Sequence, residues 1–251
     1  LAPLLGARAA LTFLTRVPCG KSPVSPQALS WASAWFPAIG CLLGLAGSCV
    51  LLGLDRAGPL VASVATVAFL ALVTGAFHED GLADSADALG GAFDRPKLFA
   101  ILKDSRIGSF GGTALILVLL LRITALAKLG PMAVGGLIFG QTLSRTAPIW
   151  LMAIMPDAVR GEAASSSNLV RAGVVHGVMA SGFALLVTAA LIFEGFLPVR
   201  GVLSSLLATL IVVVVCGWRF HVRAGGLTGD FLGATQQLTD ATILVALAAS
   251  G

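Results

Sequence analysis

The sequence predicts an all-α, polytopic integral membrane bundle that folds as one domain over residues 1–251. Three observations predict it. Charged residues make up 11% of the chain and hydrophobic ones 57%, whereas a soluble domain carries about 25% charged residues. Mean hydropathy is +0.96. Apolar windows recur near the roughly 20 residues that a helix needs to cross a bilayer core. They are Trp31–Leu54, Leu60–Phe77, Ser109–Leu129, Met132–Met152, Val174–Phe193 and Val202–Trp218. A seventh, Leu238–Ser250, is short for a span and is expected to lie partly in the interface. Six to seven transmembrane helices follow.

Taken in order, Leu4–Leu14 is apolar with Arg8 and Arg16 nearby. It is expected to lie along the membrane surface or to pack on the bundle. Pro18, Pro23 and Pro26 end it. In the first span Gly40, Gly44 and Gly47 mark one face, where small residues let helix backbones approach closely. Cys19, Cys41, Cys49 and Cys216 form no CxxC and have no His at ligand spacing, so they read as small buried hydrophobes. No internal repeat of the kind found in many transporters is evident. No polar linker is long enough to divide the chain into two domains.

Positive charge sets the expected orientation. Arg8, Arg16 and Lys21 precede the first span. Arg95, Lys97, Lys103 and Arg106 follow the second, Arg160 and Arg171 the fourth, and Arg219 and Arg223 the sixth. The alternate connections hold only Arg56, Lys128 and Arg200, with Arg122 deeper in a span. The first set is therefore expected to face the cytoplasm, and most acids share its side. A one-sided polar crown fits an enzyme with cytoplasmic active-site loops. The net charge of +4 forms no basic stripe beside aromatics, which argues against nucleic acid.

The densest chemistry is His78-Glu-Asp-Gly-Leu-Ala-Asp-Ser-Ala-Asp87. On a helix Asp80, Asp84 and Asp87 share a face at i, i+4 and i+7. Like charges this close repel unless a cation or proton compensates. With Glu79 they form a candidate oxygen site for Mg²⁺, whose shell phosphates often complete. The competing reading is a solvated helix end whose acids pair with Lys and Arg. Gly81, Gly90 and Gly91 bracket the segment and leave room for a bulky ligand. His78 is a candidate base or a packing residue.

Lys103-Asp-Ser-Arg-Ile-Gly-Ser-Phe-Gly111 comes next. Lys103 and Arg106 flank Asp104 just before a helix N-terminus, a place suited to phosphate. Gly225 to Ala234 reads as a glycine-rich loop in which backbone could approach a ligand at Gly229 and Asp230. Arg145 lies inside an apolar run, where charge is costly and a functional role is the default. It could reach an acid or a substrate phosphate, or snorkel to the interface. Arg16 is similar but nearer the surface. No nucleophilic Ser, Cys or His arrangement stands out. Direct displacement by an acceptor hydroxyl is therefore favoured over a covalent intermediate, in a Mg²⁺-dependent phosphotransferase.

These blocks, with Phe13-Leu-Thr-Arg-Val-Pro18 and Trp35-Phe-Pro-Ala-Ile-Gly40, resemble the cobalamin synthase (adenosylcobinamide-GDP ribazoletransferase) family over nearly the whole chain. Asp240 stands near a position where that family is expected to carry an acid, often Glu. The resemblance implies an inner-membrane enzyme that joins adenosylcobinamide-GDP to α-ribazole or its 5′-phosphate and releases GMP. It implies Asp80, Asp84 and Asp87 as metal ligands, with Glu79 as a ligand or supporting group. One of these carboxylates, such as Asp84, could instead accept the hydroxyl proton. Lys103 and Arg106 would hold phosphate, and Asp104 and Asp230 would complete or orient the metal site. Arg16, His78, Arg145 and Gly229 are candidate substrate contacts. Expected partners are the corrinoid nucleotide, α-ribazole, membrane lipid, and a second copy or other enzymes of the pathway.

Two other classes compete. CDP-alcohol phosphotransferases carry the pattern D-x2-D-G-x2-A-R, and this chain has no Arg after its Asp80-Gly-Leu-Ala83, where Asp84 sits. A transporter would carry paired acids deep in several spans.

Overall fold

The computed structural model describes residues 2–20, 25–158 and 172–250, without the side chains of residues 2, 3, 26 and 27. Lys21, Pro23, Arg160, Glu162 and Arg171 lie outside the described residues. Among those described, the chain forms ten α-helices and no strand. They are α1 (Ala2–Leu14), α2 (Pro26–Gly53), α3 (Pro59–Thr74), α4 (Phe77–Gly91), α5 (Arg95–Leu102), α6 (Ser109–Lys128), α7 (Ala133–Ile154), α8 (Val174–Phe193), α9 (Val199–Ala224) and α10 (Gly229–Ser250).

Four of them, α2, α6, α8 and α9, are long and apolar enough to cross a membrane. The α3–α4 pair makes a fifth if its bent halves form one span. Their outer faces leave Leu72, Leu117, Leu120, Leu185, Leu186, Leu207 and Leu210 exposed. An apolar exterior of this extent fits lipid rather than water as the surrounding solvent. Two helices of spanning length, α7 and α10, are less apolar and are the bundle's interior. α10 packs on α4, α6, α7 and α9, and α7 packs on α2, α8 and α10.

The last helix departs from its sequence reading. It begins at Gly229 rather than Leu238, runs 22 residues and is largely buried. Thr235, Gln236, Gln237, Thr239 and Asp240 face other helices, and their polarity hid its first half from a hydropathy window. The glycine-rich stretch is correspondingly a short turn, with the Thr228 hydroxyl accepting the Phe231 N–H. The cysteines differ too. Cys216 is buried, Cys19 and Cys41 are half-buried, and Cys49 is exposed, as an apolar residue can be on a lipid-facing helix. The small-residue face is as expected for two of its glycines. A Cβ on Gly40 or Gly44 would collide with the backbone of α7 at Gln141 or Ile138, whereas Gly47 faces α3.

The second apolar run ends early. Gly75 (φ 69°) and Ala76 (φ 54°) both adopt left-handed backbone, and the chain turns by 90° into α4. For Ala76 this costs about 1–2 kcal/mol. The corner is packed from outside by α1 and the chain after it. Arg16 N–H donates to the Val73 carbonyl at 2.7 Å, and the Arg16 side chain lies where a Cβ on Gly75 would sit. Phe13 stacks on Phe36 and meets Phe77 edge-on at 5.4 Å.

Polar connections gather at one end of the bundle. Arg223 donates to the Ala92 carbonyl, Arg95 to the Ala158 carbonyl at 3.3 Å, and Asp157 pairs with Leu227 in an isolated bridge. Elsewhere the start of α7 meets the turn before α9, where Gly135 touches Phe196, and the start of α9 meets the end of α10, where Gly201 touches Ser250.

Candidate active site

Helix α4 carries its acids in two environments. Asp80 is exposed and Asp84 half-buried, while Glu79 and Asp87 are buried. Asp230, in the first turn of α10, joins the exposed side. Gly81 lets α10 in: a Cβ there would lie 2.9 Å from the Asp230 carbonyl oxygen and 3.3 Å from Gly233 Cα. Asp84 lies within electrostatic reach of Asp80, Asp230 and Asp87, and Asp230 within reach of Asp80. Among the described residues no Lys or Arg forms an ion pair with Asp80, Asp84 or Asp230.

Asp87 is committed to protein. Its two oxygens accept the Gly108 N–H at 2.6 Å and the Gly111 N–H at 2.9 Å. It thereby satisfies free amides at the N-terminus of α6 and meets the positive end of that helix. Both glycines are required by proximity, since a Cβ on either would strike the carboxylate. Gly90 likewise packs on the Phe110 ring. The glycines around α4 are thus filled mostly by protein and do not hold open a broad ligand space.

A cleft of about 430 Å³ opens beside Asp87, lined by Ile101, Asp104, Arg106, Ile107 and Phe110 among others. Its floor is Asp87 and its rim is charged. Arg106 Nη2 meets Asp104 Oδ2 at 2.6 Å, and its Nε donates to Oδ1 at 3.0 Å. That guanidinium holds the Asp104 carboxyl down at about 2. Lys103, at the C-terminal end of α5, is exposed.

The inner side of α4 enters a polar network that sequence reasoning missed. Glu79 Oε1 accepts from Arg122 Nη1 at 3.2 Å. Arg122 also donates to Gln237 Oε1 at 2.8 Å and pairs through Nε with Asp240 Oδ2 at 2.9 Å. Gln141 Nε2 spans both Asp240 oxygens at 3.0 Å, and Arg145 donates to Gln141 Oε1 at 2.8 Å. Gln236 adds a bond to the Ser144 hydroxyl at 3.0 Å. Arg122 is 2% exposed, Asp240 1% and Arg145 3%. The available signal was the isolated Arg122, Arg145 and Asp240 in three apolar runs, since buried charges require partners.

The structure therefore brings together Asp80, Asp84 and Asp230, with Asp87, Asp104 and Arg106 alongside. Glu79, His78 and Arg145 lie on the buried side, Arg16 braces the α3–α4 corner, and Gly229 opens α10. Among the described residues no three His, Cys, Asp or Glu side chains converge tightly enough to enclose a metal ion by themselves. Mg²⁺ asks less: one or two carboxylates, with phosphate and water completing the shell. Asp80 and Asp84, one turn apart and free of ion pairs, fit that requirement, and Asp230 stands opposite.

An all-helical bundle with an apolar exterior, a paired polar interior and an oxygen-rich site on one helix face has the architecture of a membrane-embedded enzyme. The family model for cobalamin-5-phosphate synthase matches residues 6–248, and the chain belongs to that family. A protein of Sinorhizobium medicae (strain WSM419) named adenosylcobinamide-GDP ribazoletransferase is 38% identical over 95% of this chain and 94% of its own length. One of the same name from Rhizobium etli (strain CIAT 652) is 42% identical over 85% and 84%. Another from Shewanella amazonensis (strain ATCC BAA-1098 / SB2B) is 37% identical over 95% and 92%. No solved structure matches the chain.

Proposed function

We propose that this protein is a Mg²⁺-dependent transferase that joins adenosylcobinamide-GDP to α-ribazole or its 5′-phosphate. A ribose hydroxyl attacks the phosphoryl group attached to cobinamide. A new P–O bond forms, the P–O bond to GMP breaks, and the hydroxyl proton passes to a carboxylate. The observation that carries this reading is the carboxylate face of Asp80, Asp84 and Asp230, left without ion pairs beside the cleft of Arg106. Bound Mg²⁺ would neutralise pyrophosphate charge and ease departure of GMP. Asp80 and Asp84 would hold it, with Asp230 near enough to contribute. Arg106, already oriented by Asp104, and Lys103 would hold phosphate oxygens.

In this reading α7 and α10, enclosed by more apolar helices, also cross the bilayer, giving six to seven spans. The connections rich in Arg and Lys support an orientation with the site at the cytoplasmic face of the inner membrane. The buried charges revive the transporter alternative, but the two arginines of that network balance its two carboxylates. It offers no surplus negative charge to a passing cation.

The test is GMP release by purified protein in lipid, with each component omitted in turn. Release that needs adenosylcobinamide-GDP, the α-ribazole substrate and Mg²⁺ together is expected. Release without the α-ribazole substrate would mean hydrolysis, and release indifferent to chelator would remove the metal from the account.

A further inference from the structure

We propose that Arg122 is a positioning residue, which through Glu79 fixes the face on which Asp80 and Asp84 are presented. The inference rests on the reading of that face as the metal and phosphate site.

Helix α6 grips α4 at two points. Its N-terminal amides hold Asp87. Thirteen residues into the helix, Arg122 holds Glu79, whose neighbour in sequence is Asp80. The two grips bracket Asp80 and Asp84, so between them they fix both the rotation and the axial position of α4. The guanidinium is itself held from the far side, by Asp240 at 2.9 Å and Gln237 at 2.8 Å on α10. That same helix supplies Asp230 to the exposed face. Asp240 is in turn fixed by both bonds from Gln141, and Gln141 is fixed by Arg145. One cation thus ties the helix carrying Asp80 and Asp84 to the helix carrying Asp230. Adjacent helical residues point about 100° apart, so rotation at Glu79 carries Asp80 with it. Lys could not replace this geometry fully, because it lacks a planar fork that serves several acceptors at once.

The test uses full-length protein in lipid with Arg122→Met, Arg122→Lys and Glu79→Gln. One readout is the Mg²⁺ concentration giving half-maximal GMP release. It is expected to rise about ten-fold or more in Arg122→Met, as when a support of a ligating residue is removed. Arg122→Lys should recover part of that loss and Glu79→Gln should reproduce it in milder form. The second readout is hydrogen exchange of residues 77–91 against residues 174–193, which needs no activity. Exchange should quicken about ten-fold in the first segment only. Should Arg122→Met not be recovered folded, Glu79→Gln carries both readouts.

Lower yield with unchanged Mg²⁺ dependence and uniform exchange would show a merely structural residue and overturn the proposal. If the wild-type protein released no GMP, the reaction would be in error, and the exchange arm would still decide whether Arg122 fixes α4.

Discussion

Glu79 and Asp80 are neighbours on one helix, yet they belong to opposite kinds of chemistry. Glu79 is buried against Arg122, in a network of two arginines, two carboxylates and the amides that bridge them. Asp80 faces outward with Asp84 and Asp230, a set of like charges without an ion pair among the described residues. The first arrangement satisfies its charges within the protein. The second leaves them for something that arrives. Unrelieved charge on a positioned face marks a functional site, and the paired network beneath it accounts for how that face is held.

Breaking the buried side should cost the most stability. Asp240→Ala leaves Arg122 and Gln141 short of an acceptor, and loss of one partner from a buried pair costs about 3–5 kcal/mol. Thermal melting in detergent should fall accordingly, together with the yield of folded protein. A change at the junction of the two sides should cost less and disturb both. Gly81→Ala inserts a methyl 2.9 Å from the Asp230 carbonyl oxygen, which overpacks the α4–α10 crossing by about 1–3 kcal/mol. Its GMP release should drop further than its melting temperature implies, because Asp230 is displaced.

Asp87→Asn comes next. An amide cannot accept both the Gly108 and Gly111 N–H groups as a carboxylate does, so about 1 kcal/mol of capping is lost. Its melting should move slightly, and hydrogen exchange should quicken at the start of α6. The smallest effect belongs to the exposed Asp104–Arg106 pair. A carboxyl lowered to about 2 contributes stability that is present above the ordinary carboxylate range and is lost only as pH falls through about 2. The pair therefore stays ionised from about pH 5 to 9. Asp104→Asn should leave the shape of the pH–release profile unchanged over that range and alter mainly the KM for the nucleotide substrate.

Much of this was legible in the sequence. The apolar windows located most of the helices. The i, i+4 spacing put Asp80 and Asp84 on one face, and the mixed charges at Lys103 to Arg106 marked the rim of the cleft. Three things were hidden, each for a physical reason. Helical spacing says which residues share a face but not which helix lies opposite, so neither the bonds of Asp87 to the start of α6 nor that of Glu79 to Arg122 could be read from it. Hydropathy averages over a window, so buried Gln236, Gln237 and Asp240 truncated α10. Glycines read as room for a ligand were mostly room for backbone or the Phe110 ring.

The most direct measurement is Asp84→Asn, followed by GMP release and by melting of the metal-free protein. If the outward face holds unrelieved charge for a ligand, release should fall about a thousand-fold, corresponding to several kcal/mol of lost transition-state stabilisation. Metal-free melting should rise, by about 2–4 °C for each kcal/mol of repulsion removed. A variant that melts lower and keeps its release would place Asp84 among the structural charges and contradict the division between the two sides of α4.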